Sequence, residues 1–278
     1  MRVPIVCHVV LAFVLTGSAD AAPKMEVAKF QSARGVEITG YYFRPSGDGP
    51  FPAVIGMHGC GGLFQPRRKV LAPNRMDWAR RFLDAGYVIL FADSYGPRGV
   101  HSVCETRPDK RVVKLPDHVG DLGGTVSWIS TQSFVDKDKI AVVGWGVGGA
   151  AVLRILDPQF PLHQRVDLKA AIAFYPPCEP IETVPRYVPR FPPTILMGAA
   201  DEWNSPSACG ALAARWGSPI VLYPGAHHNF DVPNVPIRRR PTGVGPKRAG
   251  TNPAARNKAI KVVREQLIKA FGEPGKRR

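Results

Sequence analysis

The stretch AVVGWGVGGAA, residues 141–151, dictates a sharp local geometry. The apolar run 140–143 reads as a buried strand. It enters Gly144-Trp145-Gly146-Val147-Gly148-Gly149 and then a small-residue helix over 147–156. A strand that feeds straight into a helix through a tight glycine turn belongs to a parallel sheet with helices on its faces. Some parallel-sheet enzymes present a nucleophilic side chain on such a turn, at the centre of G-x-S-x-G. In this chain the central position is Gly146, which has no side chain to present.

The rest of the sequence repeats the alternation. Strands are expected at 36–42, 52–57, 87–92, 140–143, 168–174, 194–197 and 219–223. Helices are expected at 74–85, around 117–129, at 147–156 and 207–216, and finally at 253–271. Strands alternating with helices predict an α/β fold class with a mostly parallel central sheet flanked by helices on both faces. The chain has 278 residues, 45% of them hydrophobic and 21% charged, which suits one large domain. Residues 232–252, rich in Pro, Gly and Arg, read as a long surface loop.

Residues 1–21 read as a secretory signal peptide. Arg2 supplies the positive start, 9–15 a short apolar stretch, and Ala19-Asp20-Ala21 a small-residue cleavage site. No segment is long and apolar enough to span a bilayer. Removing the signal takes away Cys7 and leaves Cys60, Cys104, Cys178 and Cys209. An even number in an exported chain predicts disulfides, with three pairings open. No C-x-x-C spacing occurs, so neither a zinc knot nor a thioredoxin-type motif is expected, and no metal or cofactor is called for.

The net charge is +15, of which residues 238–278 carry +11. Nucleic acid is not an expected partner, because the chain is expected to be exported and has no recognised nucleic-acid motif. Arg238, Arg239, Arg240 and the last helix are expected to form an exposed basic face remote from Gly146, attracted to anionic surfaces.

Ligands bind at the carboxyl ends of the strands in such a sheet, and polar residues gather there. HGCGG, 58–62, follows one strand and offers a backbone N–H. Asp201 follows another in GAADEW, and His228 a third in PGAHHNFD. A carboxylate that precedes a histidine by one strand–helix unit can hold the imidazole in one tautomer. His227 is read as the non-catalytic neighbour.

With these motifs assembled, the chain resembles the dienelactone hydrolase family of the α/β-hydrolase superfamily. The resemblance runs from about 26 to 271. It rests on MHGCGG, GYVILFADSYGPRG, GWGVGG, GAADEW and YPGAHHNFD. It implies an α/β-hydrolase fold with little or no cap over 25–272, followed by a basic tail at 273–278. It also implies cleavage of carboxylic esters or lactones by a Cys or Ser nucleophile. Carried over by position, Asp201 and His228 are the acid and base, and Cys60 and Val147 give the oxyanion N–H groups. Arg98 in YGPRG lies near substrate-binding arginines, and Gly146 stands where the nucleophile belongs. In that fold the strand 52–57 lies beside 87–92, so the expected disulfides are Cys60–Cys104 and Cys178–Cys209. No arginine follows Phe230; Asp231 does, which makes a dienelactone itself a poor substrate.

Glycine adopts a strained elbow conformation freely but cannot attack a carbonyl. Three readings follow: a pseudoenzyme that binds a ligand, such as a small-molecule ester or lactone, or a partner; hydrolysis by a water that His228 activates; or attack by another residue, Cys60 being the nearest thiol. Gly144, Gly146 and Gly149 also spell the dinucleotide fingerprint G-x-G-x-x-G. The acidic residue that fingerprint needs some 20 positions on is missing. Asp167 sits at the start of the next strand instead of its end.

Overall fold

A computed structural model of the chain describes residues 24–66, 68, 70–160, 166–182 and 187–273. Strands β1 (Glu26–Gln31), β2 (Glu37–Phe43), β3 (Phe51–Met57), β4 (Val88–Asp93), β5 (Val135–Trp145), β6 (Leu168–Phe174), β7 (Thr194–Gly198) and β8 (Ile220–Tyr223) form one sheet. Their order is β1-β2-β4-β3-β5-β6-β7-β8. The β1–β2 and β2–β4 pairs are antiparallel; from β4 to β8 all pairs are parallel.

Parallel strands must be apolar on both faces, because the crossover helices cover both. Successive residues of β3 to β5 accordingly point into two different apolar cores. Val54, Ile89, Phe91 and Val143 join one with helices α1 (Pro73–Asp84) and α6 (Pro253–Phe271). Ile55, Leu90 and Val142 join the other with α2 (Leu115–Ile129) and α3 (Val147–Ile155). Ala255, Ala259, Val263, Leu267 and Phe271 recur every four residues along α6 and are its buried stripe. A single turn α4 (Glu179–Glu182) and α5 (Pro206–Trp216) complete the helices.

The expected strands and helices are present, and two features extend them. β1, unforeseen, pairs with β2 at the sheet edge. Residues 232–252 are not a plain loop: β9 (Arg238–Arg240) and β10 (Lys247–Ala249) form an antiparallel ribbon within them. The disulfides are Cys60–Cys104 and Cys178–Cys209, with Cα separations of 4.8 and 5.1 Å. Both fit an oxidising compartment. Among the described residues no helix is long and apolar enough to cross a membrane. The expected signal at 1–21 lies outside the described residues, as does the expected tail beyond Glu273.

The elbow between β5 and α3 depends on two glycines for contact. A Cβ on Gly148 would lie 2.3 Å from the Met57 carbonyl oxygen, and one on Gly144 2.2 Å from the Gly148 oxygen. Gly146 is different. A Cβ there would meet only Gly59 Cα, at 3.8 Å, but the backbone has φ +54° and ψ −122°. Space is available, and conformational strain is the only cost. Gly148→Ala is therefore expected to destabilise by about 3 kcal/mol, the upper range of overpacking. Gly146→Ala is expected to cost about 1 kcal/mol. Urea denaturation of the two variants checks the order; equal losses would contradict it.

Two imidazoles are sealed beneath the loop after β3. His58 receives the Ser94 N–H at Nε2 (3.1 Å), and its Nδ1 donates to the Gly59 carbonyl (2.9 Å). Burial pushes its pKa down to about 4, although Asp93 and the Gly59 carbonyl oppose the shift. His118 is fully buried, and neither ring nitrogen has a hydrogen-bond partner among the described residues. Burial holds its pKa well below the usual value, and His58 adds to the effect. The unfolded chain takes up these protons near pH 6.5 and the fold refuses them. Stability is thus complete above pH 6.5 and falls as pH drops toward 4, by about 1.4 kcal/mol per pH unit for each proton withheld. Thermal midpoints across pH 4–7 should show this slope, and His118→Leu should flatten it; a slope unchanged in that variant would refute the assignment.

Candidate active site

Asp201, His228 and Gly146 come together because β7, β8 and β5 end on the same edge of the sheet. Asp201 caps the turn after β7: its Oδ1 accepts the N–H groups of Trp203 (2.7 Å) and Asn204 (3.1 Å). Its Oδ2 accepts Nδ1–H of His228 at 2.8 Å. A carboxylate only accepts, so the proton sits on Nδ1 and Nε2 is left as the basic nitrogen. His228 is 5% exposed and lies between two rings: Trp203 stacks on it at 4.7 Å, 4° from parallel, and Tyr175 lies at 4.4 Å. His227 is directed elsewhere, its Nδ1 2.7 Å from the Ala200 carbonyl.

His228, Gly146, Cys60, Val147, Tyr175 and Trp203 all border one cavity of about 710 Å³. The backbone N–H groups of Cys60 and Val147 take no internal partner among the described residues. That of Val147 is orphaned because it begins α3. Tyr175, just beyond β6, has φ +37°, a conformation rarely adopted by bulky residues. It is held there by its own N–H, which donates to the Leu196 carbonyl, and by its hydroxyl, which donates to Asp231 Oδ1 at 2.7 Å.

Three expectations change on this geometry. Arg98 does not border the cavity: its guanidinium makes a two-pronged pair with Asp121, 2.8 and 2.9 Å, and donates to the Ser94 carbonyl. The buried Asp121 carboxylate needs that cation, which leaves it unavailable to a ligand. Cys60 is bonded to Cys104 and carries no thiol with which to attack. The basic ribbon is not remote from Gly146. Arg238, Arg239 and Arg240 are exposed, but Thr242, Gly243, Val244 and Lys247 of the same segment border the cavity.

Residues that sequence reasoning passed over complete the site. Arg75 borders the cavity from the start of α1. Its guanidinium lies 4.3 Å from the centre of the Trp145 ring. Burial lowers its pKa, while Tyr175 and Asp231 act in the opposite direction. A signal for it exists in the sequence: 75 falls in the helical stripe of Trp78, Ala79 and Phe82, where a charged residue is out of place.

None of the curated proteins matches this sequence. Among solved structures, a dienelactone hydrolase-like promiscuous phosphotriesterase from metagenomic libraries is 17% identical. The TM-score is 0.64, covering 89% of this chain and 99% of that one. Thermogutta terrifontis esterase 2 is 20% identical, TM-score 0.62, covering 91% and 96%. Anabaena variabilis dienelactone hydrolase is 15% identical, TM-score 0.60, covering 89% and 98%. At these identities the likeness establishes the α/β-hydrolase fold. Residues 38–271 match the dienelactone hydrolase family, and the chain belongs to that family.

Proposed function

We propose that this chain binds carboxylic esters or lactones in the cavity at the strand ends and hydrolyses them without a covalent intermediate. His228 takes a proton from a water seated where an elbow side chain would lie. Asp201 holds the imidazole tautomer, and the N–H groups of Cys60 and Val147 receive the developing oxyanion. The observation that carries this reading is the Asp201–His228 pair, hydrogen-bonded at 2.8 Å, beside open space at the Gly146 Cβ position. One water needs only about 30 Å³. General-base assistance supplies about 10²–10⁴ in rate, and an oxyanion hole adds to it. Losing a covalent nucleophile costs far more, on the order of 10⁶, so turnover is slow. The two disulfides support export of the chain from a reducing cytosol.

A second reading has its own support. Gly146 removes the residue that would carry an acyl group, and the same cavity then serves to bind a ligand without turnover.

Short-chain p-nitrophenyl esters and simple lactones separate the two. The natural protein should show slow hydrolysis that His228→Ala abolishes. Gly146→Ser should raise the rate by at least about 100-fold, since a triad nucleophile contributes far more than that. His228→Ala in the Gly146→Ser background should remove the gain. Gly146→Ser should also cost about 1 kcal/mol of stability, through the same positive φ. Equal, negligible rates in the natural and Gly146→Ser proteins would reject hydrolysis and leave binding.

A further inference from the structure

We propose that the cavity is built for a multiply charged anion, one of whose charges pairs with Arg75 on the cavity wall. The proposal rests on the reading of this cavity as the ligand site and names the chemistry it selects.

Arg75 is 5% exposed, and its Nε and Nη1 are buried with no hydrogen-bond partner among the described residues. Arginine stays protonated in proteins, so this is a buried cation with unfilled donors. The carboxylate that acts on it, Asp231, is taken: Oδ2 accepts Trp78 Nε1 and Trp145 Nε1, each at 2.9 Å, and Oδ1 accepts the Tyr175 hydroxyl. The Trp145 ring under the guanidinium offsets part of the cost, but a ring face accepts no in-plane N–H. A planar fork with unfilled donors, on a side chain that borders the cavity, matches a carboxylate or phosphate.

A single arginine would suit a single charge. Arg111, Lys114 and Lys247 also border the cavity, against one acidic residue, Glu179. Glu179 accepts the Ser205 N–H. None of the four cations makes an ion pair among the described residues, whereas Arg98, facing away, is paired. The ribbon adds a fifth. Lys247 stands directly opposite Arg240 in the β9–β10 register, so the two side chains share a face. Like charges directly opposite destabilise a strand pair. A ligand with several negative charges, reaching from Arg75 inside to Lys247 and Arg240 at the ribbon, would relieve the repulsion and fill the donors together. Neutral esters would satisfy neither.

Calorimetric titration of the full chain tests this with citrate, pyrophosphate and the neutral trimethyl citrate. Citrate or pyrophosphate should bind at least about tenfold more tightly than trimethyl citrate, the stronger of the two naming the anion class. The preference should shrink with salt. Arg75→Met should weaken the anion by at least about tenfold while its thermal midpoint holds or rises, because a buried unpaired charge is gone. The double variant Lys247→Gln with Arg240→Gln, at a half-buried and an exposed position, should weaken it severalfold at an unchanged midpoint. Trimethyl citrate binding as tightly as citrate overturns the proposal, as does undiminished anion affinity in Arg75→Met. If Arg75→Met does not fold, unchanged affinity in the double variant overturns it. Hydrolysis of neutral p-nitrophenyl acetate by Gly146→Ser reports on the site separately: activity there without anion preference refutes this inference and leaves the site reading standing.

Discussion

A single buried carboxylate ties the site to the fold. Asp231 is inaccessible to solvent and accepts hydrogen bonds from Trp78 of α1, Trp145 at the end of β5, and Tyr175 beyond β6. A charge in a low-dielectric interior is tolerable only when hydrogen-bond donors meet it. Each of the three donors therefore has one permitted position, and each stands next to something the site needs. Trp145 precedes Gly146. Tyr175 borders the cavity and packs on His228. Asp231 itself lies three residues past His228. Arg256 of α6 donates to the Asp231 carbonyl and to Asp77 of α1, so the helices covering that face are fixed to the same residue. The strained φ of Tyr175 is affordable because its hydroxyl has nowhere else to go.

The elbow shows which glycines a turn requires and which it merely tolerates. Gly144 and Gly148 are dictated by contact, since any Cβ would drive into backbone carbonyls. They fix the approach of α3 to β3 whatever residue stands between them. Gly146 has free space and an unfavourable φ, the opposite situation. A side chain there costs strain, and strain of that kind is retained where chemistry repays it. With glycine the strain disappears, and the contacts that Gly144 and Gly148 make do not depend on it. The dinucleotide reading of the same glycines fails on similar grounds, because Gly144 is filled by its neighbour Gly148 and opens to no ligand.

Much of this was legible in the sequence because it is local or ordered along the chain. The elbow, Asp201 and His228 each follow an apolar run, and strand ends in a parallel sheet converge. The disulfide pairs followed from which strands the fold places side by side. What was not legible depends on partners distant in sequence. Arg98 matches a binding position by motif, but Asp121, 23 residues on, claims its guanidinium. β1 is an edge strand whose burial alternates but whose sequence does not follow it, with Val27 exposed and Glu26 half-buried, so its pairing with β2 had no strong signal. The ribbon within 232–252 is a run of arginines, glycines and prolines, and nothing in its pattern distinguishes a three-residue strand from a loop. Arg75 was readable in principle, as a cation on an apolar helical stripe, but its meaning required the cavity.

The ribbon segment also joins the two halves of the site outside the sheet. At one end the Gly250 N–H donates to the His228 carbonyl and that of Asn252 to Phe230, clamping the histidine loop. At its tip the Gly243 N–H donates to the Cys104 carbonyl. Cys104 is bonded to Cys60, which borders the cavity. A continuous path of backbone hydrogen bonds and one covalent bond thus connects the imidazole with the loop after β3. Loops of this length are the mobile parts of most folds. Here the imidazole and the loop after β3 are held to one another as well as to their strands, and the cross-link persists only in an oxidising compartment. Relative positions in such a site matter on the scale of 1 Å, so where the chain resides bears on the geometry of the cavity as well as on the stability of the fold.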